Sequence, residues 1–425
     1  MRCEIHSFAR LMVLSAALAL PSCAEGPEKA EAHPAIRVAP APAAPAPAPP
    51  PPASAPESKP DISASISRGH RWLLSKQNPD GGFGASEFVP EKGSDVGLSA
   101  FALYALARTA AAGDSNSAQV IERAEKFLLA IQQPSGAFVD PRDPSLQNYK
   151  TSVAVLALLT LGHDKHAEPI HRAVAHLKGL QFDEGKKVSH KDWQYGGVGY
   201  GSDPTRPDLS NHGFASEALA SAGISGADDF WYRAQLFVAR CQNAPTVDPV
   251  LAEAKVGTTS DLGFRYAPTA TRGNSESIDG GTVFSSYGSM TYMGLKSLLY
   301  ANVKKDDPRV KGAFAWIAKN FTVKENPGMA TVKEPLRGQQ GLFYYYQTMA
   351  KALSVYGEAV VTDEKGVRHD WARELGEHLA SIQKPDGFWD NPAERWMEGI
   401  ELLDTSYALV ALATCQGELT KSPPK

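Results

Sequence analysis

A chain of 425 residues with 43 lysines and arginines against 47 aspartates and glutamates carries a formal charge of −4. No run of Lys or Arg tracks along any segment, which excludes a nucleic-acid partner held by charge. Four cysteines are too few for a disulfide framework to be the main source of stability.

Arg2 and Arg10 flank the start, and Leu11 to Leu20 is apolar. That run is too short to span a bilayer and has the length of a signal-peptide core. It ends in Leu20-Pro21-Ser22-Cys23, which resembles the lipobox of bacterial lipoproteins, with Pro21 where a small or aliphatic residue usually stands. The resemblance implies a signal peptide over 1–22, cleavage before Cys23 and lipid attachment at Cys23. From 23 to 61 Ala and Pro dominate, as in PAPAAPAPAPPPPASAPESKP. Such a composition cannot bury a core and favours extended polyproline II, reaching roughly 100 Å at most. The expectation is an exported protein tethered to an envelope membrane through its N-terminal lipid. Ala24 rather than Asp follows the cysteine, which under the enterobacterial sorting rule would permit release to the outer membrane; the anchor is expected in the inner or the outer membrane.

The body, 62–416, repeats itself, and a short tail follows over 417–425. A helix-like segment ends in Gln, a Pro/Asp/Gly turn follows, then an aromatic residue. The copies are RWLLSKQNPDGGF from Arg71, KFLLAIQQPSGAF from Lys126, HLKGLQFDEG from His176, FVARCQNAP from Phe237 and LASIQKPDGFWD from Leu379. A degenerate copy, WIAKNFTVKENPGM from Trp316, has Asn320 where Gln is expected. After each turn comes a second segment that is apolar on most faces, starting near Ser94, Asn148, Asp208, Ser285, Gln339 and Leu403. Amphipathic helices belong outside and uniformly apolar ones inside. The pattern predicts an all-α protein, an α6/α6 toroid of six inner helices ringed by six outer ones, with a core one layer thick. Strand patterning is nearly absent.

These turns and paired helices resemble the repeat of the squalene–hopene cyclase and protein prenyltransferase β-subunit superfamily, over about residues 62–416. RPDLSNHGFASEAL from Arg206, SYGSMTYMGLKSLLYA from Ser286 and QQGLFYYYQTMAKAL from Gln339 look most like exported bacterial proteins with these repeats. The resemblance implies the toroid fold, terpenoid-cyclase-like. Its known chemistries lack their reacting groups here. There is no Asp-x-Asp-Asp tetrapeptide for protonating an alkene, and no Gly-Cys-Gly-Glu-Gln thioester motif. The Asp, Cys and His that hold zinc in prenyltransferases have no counterpart, because the only inner-helix cysteine, Cys415, lies at the wrong end. No cofactor and no metal is expected.

In such a ring the N-termini of the inner helices gather at one mouth, where dipoles favour anions and orient polar ligands. Asp95, Asp208, His212 and Asp404 are the acid–base candidates there, although Asp208 and Asp404 also suit helix caps and His212 a hydrogen-bonded core position. Tyr149, Ser286, Tyr287, Gln340, Tyr344 and Tyr345 are the candidate ligand-binding residues, since aromatic walls with a few polar groups make pockets. His163, His166, His171 and His176 read as a solvated outer helix, because His171 and His176 lie about 140° apart around it. Asp228-Asp229 and Asp306-Asp307 read as helix starts, and Cys241 and Cys415 as unpaired thiols. Trp396-Met397-Glu398 is expected to fold over the mouth. Three functions fit: a ring that binds a ligand or scaffolds an envelope protein; an enzyme acting on an apolar, isoprenoid-like ligand; and a carbohydrate-active enzyme using paired carboxylates.

Overall fold

A computed structural model describes residues 60–85, 93–111, 113–202, 206–278 and 280–421. The expected signal peptide, the lipid site at Cys23 and nearly all of the expected tether lie outside these residues.

Local sequence sets where helices begin. Asp61, Asp95, Asp114, Asp208, Asp228, Asp248, Asp307 and Asp370 each stand at an N-cap and accept a backbone N–H from the first turn. Each such cap is worth about 1 kcal/mol. The outer helices are α1 (Ile62–Leu74), α3 (Ser115–Ile131), α5 (Ala167–Gly179), α7 (Asp229–Cys241), α10 (Pro308–Lys319) and α12 (Trp371–Ser381). They bury one face only; α1, for example, buries Ile66, Gly69, His70 and Leu73. The inner helices are α2 (Val96–Thr109), α4 (Gln147–Leu161), α6 (Leu209–Ser221), α9 (Gly288–Tyr300), α11 (Leu342–Tyr356) and α13 (Glu401–Lys421). They are buried nearly all round: α4 is continuously buried from Lys150 to Leu158, and α6 from Leu209 to Leu219.

The inner helices pack in sequence, α2 on α4, α4 on α6, α6 on α9, α9 on α11 and α11 on α13, and α13 returns to α2. The ring is closed, as the repeat predicts. The last inner helix runs on to Lys421, into the stretch expected to be a tail. A small antiparallel and parallel sheet, ordered β1 (Val256–Gly257), β3 (Gly281–Phe284), β2 (Ser275–Ile278), and a two-stranded pair, β4 (Val360–Thr362) with β5 (Arg368–Asp370), decorate the connections. The short helix α8 (Pro249–Glu253) precedes β1.

The repeated glutamine holds the outer layer together. Its side-chain amide donates once to its own turn and once to a carbonyl of the next outer helix. Gln77 reaches Gly81 and Val120, Gln181 reaches Gly196 and Phe230, and Gln242 reaches Leu262 and Arg309, all at 2.7–3.0 Å. Gln132 does the same with Gly136 and Pro169. Asn320, one methylene shorter, donates its side-chain amide among the described residues only to the Trp316 carbonyl of its own helix. The turn aromatic that follows is fully buried at Phe83, Phe138, Phe264 and Trp389. Its N–H is held by a hydroxyl of the inner helix: Ser99, Thr151, Thr291 and Thr405 in turn. Gly81 is required at its place: φ is +92°, and a Cβ would lie 2.7 Å from the Arg123 carbonyl of the neighbouring helix.

Candidate functional site

The inner helices send side chains to the ring axis at i, i+3, i+4 and i+7 spacing. From the N-terminal to the C-terminal end these are Phe101, Tyr104 and Arg108 on α2, and Ser210, Phe214 and Glu217 on α6. Tyr344 and Lys351 follow on α11, and Tyr407 and Thr414 on α13. They stack into layers.

The first layer is a recess at the end where the inner helices start. The Tyr149 hydroxyl donates to Ser210 Oγ at 2.7 Å, and Ser210 shares a second 2.7 Å bond with the Tyr344 hydroxyl. One hydrogen-bonded chain thus ties α4, α6 and α11 across the axis. Tyr200 and Tyr266 share a hydroxyl bond of 2.9 Å beside it, and the Arg272 guanidinium lies over the Tyr266 ring at 4.6 Å. Tyr149, Tyr200, Tyr266 and Tyr344 each keep some accessible surface. Burial nonetheless pushes all four hydroxyls above their ordinary value, so they stay neutral. Side chains that are deep and yet accessible form the wall of a concavity. Asp208 lies under this wall, 2 % exposed, accepting the N–H and the side-chain amide of Asn211. Burial raises its carboxyl to about 6 against those hydrogen bonds.

The second layer is a floor. Phe101 meets Tyr407 edge-on at 4.9 Å and Phe214 at 6.1 Å, and Phe214 meets Tyr149 at 5.0 Å. With Phe101, Phe214 and Tyr407 all buried, the axis is not an open channel. Beyond the floor, Glu217 sits between Lys296 and Lys351.

A second acidic corner adjoins the recess where α11 and α13 begin. Gly341 opens α11 in a left-handed conformation and offers no side-chain cap. The Glu398 carboxylate supplies one, accepting the N–H groups of Phe343 at 3.2 Å and Tyr344 at 2.7 Å. Asn391 bridges, donating its side-chain amide to Glu398 at 2.7 Å and its backbone N–H to Asp404 Oδ2 at 2.9 Å. Asp404 Oδ1 is buried with no partner. Burial, then the neighbouring Glu398, pushes the Asp404 carboxyl up to about 9, and burial brings Glu398 to about 7. Asp404 is therefore a neutral carboxylic acid at pH 7. The Trp396–Glu398 insertion covers the start of α11: Trp396 and Met397 take left-handed backbone and stay exposed, and Trp396 lies against Gly341.

The ten candidate residues divide. Tyr149 and Tyr344 line the recess. Tyr287, at the N-cap of α9, lies within electrostatic reach of Tyr344, Arg272 and Asp208. Asp208 and Asp95 cap their helices; Asp95 accepts the Leu98 N–H at 2.7 Å. Gln340 precedes Gly341, its Oε1 buried without a partner. Three face away from the axis, contrary to expectation. His212 stacks parallel to Phe230 at 6.2 Å and packs on Phe237 at 5.4 Å, in the annulus between α6 and α7. Burial drives its imidazole down to about 3, which makes it a neutral core residue. Ser286 is spent on Asn243 and Asp261. Tyr345 donates to the Thr322 carbonyl and packs on Tyr292, towards the outer layer. Of the histidines, His166 is buried on Glu125 at 3.0 Å. Cys241 and Cys415 are free and buried.

Tyr200, Tyr266 and Arg272 escape a reading confined to the starts of the inner helices, whereas Ser210 stands in the first turn of α6 and is passed over between Asp208 and His212. The repeat register holds the signal for two of them. Tyr200 and Tyr266 stand two residues after the repeated buried turn position (Val198 and Phe264), as Asp140 and Asn391 do after Phe138 and Trp389. That position leads to the mouth: the Tyr266 carbonyl accepts the N–H of Leu209 at the start of α6, and the Tyr200 carbonyl that of Asn148 in α4.

The chain matches no protein-family profile and no curated protein. Among solved structures it is similar to the type II terpene cyclase MstE from Scytonema. The apo form superposes with a TM-score of 0.50 at 15% identity, over 84% of this chain and 98% of that one. An MstE variant in complex with its product, merosterolic acid A, gives 0.50 at 16% identity over the same shares. An α-1,6-mannanase from a Salegentibacter species gives 0.49 at 11% identity, over 84% of this chain and 99% of that one. The likeness to MstE establishes the squalene-cyclase-like α/α toroid and carries no reaction across.

Proposed function

We propose that the chain is an exported, lipid-anchored toroid that binds a ligand in the tyrosine-walled recess, the ligand having an apolar or ring-shaped body and a few hydroxyl or carbonyl groups. The observation that carries this is the chain Tyr149–Ser210–Tyr344, three neutral hydroxyls on three inner helices in a partly accessible concavity. Neutral phenols stack on apolar or ring surfaces and donate to or accept from polar substituents, which is the chemistry of a pocket rather than of a packed core. Whole protein incubated with an extract of its own membranes, then weighed by native mass spectrometry, tests it. A discrete bound mass that is lost in Ser210→Ala supports the reading, and a clean apo mass across extracts turns the search towards protein partners of the outer surface. Retention of the protein in the membrane fraction, lost in Cys23→Ala, tests the anchor.

A second reading, an enzyme acting on an isoprenoid, is favoured by Asp404. A neutral acid with an unpartnered oxygen, near Tyr407, is suited to protonating an alkene. Turnover of an isoprenoid by the whole protein, absent in Asp404→Asn, would favour it over a binding role.

A further inference from the structure

Beyond the aromatic floor, towards the end opposite the recess, Glu217 of α6 is shared by two lysines. Lys296 Nζ of α9 lies 2.6 Å from Glu217 Oε2, and Lys351 Nζ of α11 lies 2.8 Å from Oε1. The three residues are 0–5 % exposed. Each ammonium has three N–H donors and gives one to Glu217. Their other faces meet aromatic rings, Phe214 and Tyr300 beside Lys296, and Tyr104 at 4.8 Å from Lys351.

One turn further along α2, Arg108 donates to the Tyr104 hydroxyl and to Thr414 of the neighbouring inner helix α13, each at 3.2 Å. Among the described residues it has no ion pair, and its charge bears on Lys351. Glu217 is the one carboxylate acting on Lys296 and on the Tyr300 hydroxyl. Glu418, the next acid on α13, is taken by Ser354 and Lys421. Two buried cations therefore share one buried anion inside the ring, and the exposed Arg108 adds a third positive charge beside them. The C-terminal ends of the inner helices offset part of that charge, but a buried ammonium with unspent donors remains costly. Arg108 is exposed and Tyr300 partly so, so solvent reaches both at this end of the ring.

We propose that Arg108, Lys351 and Tyr300 enclose an anion site that takes an oxyanion, either free phosphate or sulfate or the phosphate of a larger molecule. The guanidinium offers a planar fork, Lys351 its unspent N–H donors and Tyr300 a hydroxyl with no hydrogen-bond partner among the described residues, a combination that suits tetrahedral oxyanions. The floor of Phe101, Phe214 and Tyr407 separates this site from the tyrosine recess, so the two fill independently.

The test titrates the whole protein with inorganic phosphate at constant ionic strength, sodium chloride making up the balance, and follows thermal unfolding. A saturable rise in Tm is expected, with apparent affinity about tenfold weaker or more in Arg108→Ala and in Lys351→Met. Lys351→Met leaves Glu217 paired with Lys296, and Arg108→Ala alters an exposed residue and decides alone should the other variant not fold. Glycerol 3-phosphate runs in parallel: equal affinity assigns the site to the free ion, tighter affinity to a larger phosphate. Phosphate acting no differently from chloride, or Arg108→Ala titrating like the parent, would overturn the site and leave the cations as a balance for the helix ends.

Discussion

Gln383, at the end of the last outer helix, donates its side-chain amide to the Ser65 carbonyl of the first, 3.0 Å away and 318 residues earlier in the chain. The same amide also bonds the Gly387 carbonyl at 2.8 Å, and its oxygen accepts from Ser65 Oγ and Arg68. This bond closes the outer layer of the ring, and it is made by the same residue type that links every other pair of successive outer helices except the one following α10.

Gln383→Ala removes both donors and leaves two carbonyls in need of partners. The expected loss is about 2 kcal/mol, read as a lower midpoint in urea. Asn320→Ala, which removes an intrahelical bond only, is expected to cost less than half as much.

Glu217→Gln strips two buried ammoniums of their shared counter-charge. Burial alone would raise this carboxyl, but Lys296 and Lys351 outweigh it and hold it down at about 2, so it is ionised in the folded ring. Loss of the charge is expected to destabilise by about 3–5 kcal/mol. The triple variant Glu217→Gln, Lys296→Met, Lys351→Met should recover most of that in the same unfolding experiment.

Asp404 and His212 act on stability in opposite senses. Asp404 keeps its proton up to about 9 in the fold, against 3.8 for an ordinary aspartate. Between about pH 4 and pH 9 the folded chain therefore holds a proton that the unfolded chain has released, and stability falls as pH rises, by about 1.4 kcal/mol per pH unit for a full proton. Asp404→Asn should flatten that slope, leaving the smaller share of Glu398, and make the variant the more stable protein at pH 8.

His212 is held neutral down to about 3, against an ordinary 6.5. From about pH 6.5 down to pH 3 the unfolded chain takes up a proton that the folded one refuses, so its contribution is lost as pH falls. His212→Phe, seated between Phe230 and Phe237, is expected to weaken this acid limb. Unfolding midpoints taken every half pH unit check both residues.

The ring was legible because its signal is repeated: a glutamine, a turn and an aromatic recur, and each inner segment is apolar on most faces. That same uniformity hid the site. A helix apolar all round has no hydrophobic stripe to set its phase, so nothing in QQGLFYYYQTMAKAL separates Tyr344, which faces the axis, from Tyr345, which faces Thr322 in the outer layer. His212 was misplaced for the same reason. The capping role of Glu398 was out of reach because the N–H groups it accepts, those of Phe343 and Tyr344, are adjacent in space but 55 and 54 residues earlier in the sequence, which leaves no local pattern. Tyr200 and Tyr266 were readable only by carrying the repeat two residues beyond its aromatic.

The adjacent pair Tyr344 and Tyr345 gives the most direct test of the ligand recess. Native mass spectra of the whole protein, charged with the species it takes from membrane extract, are compared for Tyr344→Phe and Tyr345→Phe. The recess predicts that the bound fraction falls in Tyr344→Phe and is unchanged in Tyr345→Phe. Equal retention in both variants, or loss in Tyr345→Phe alone, would contradict it.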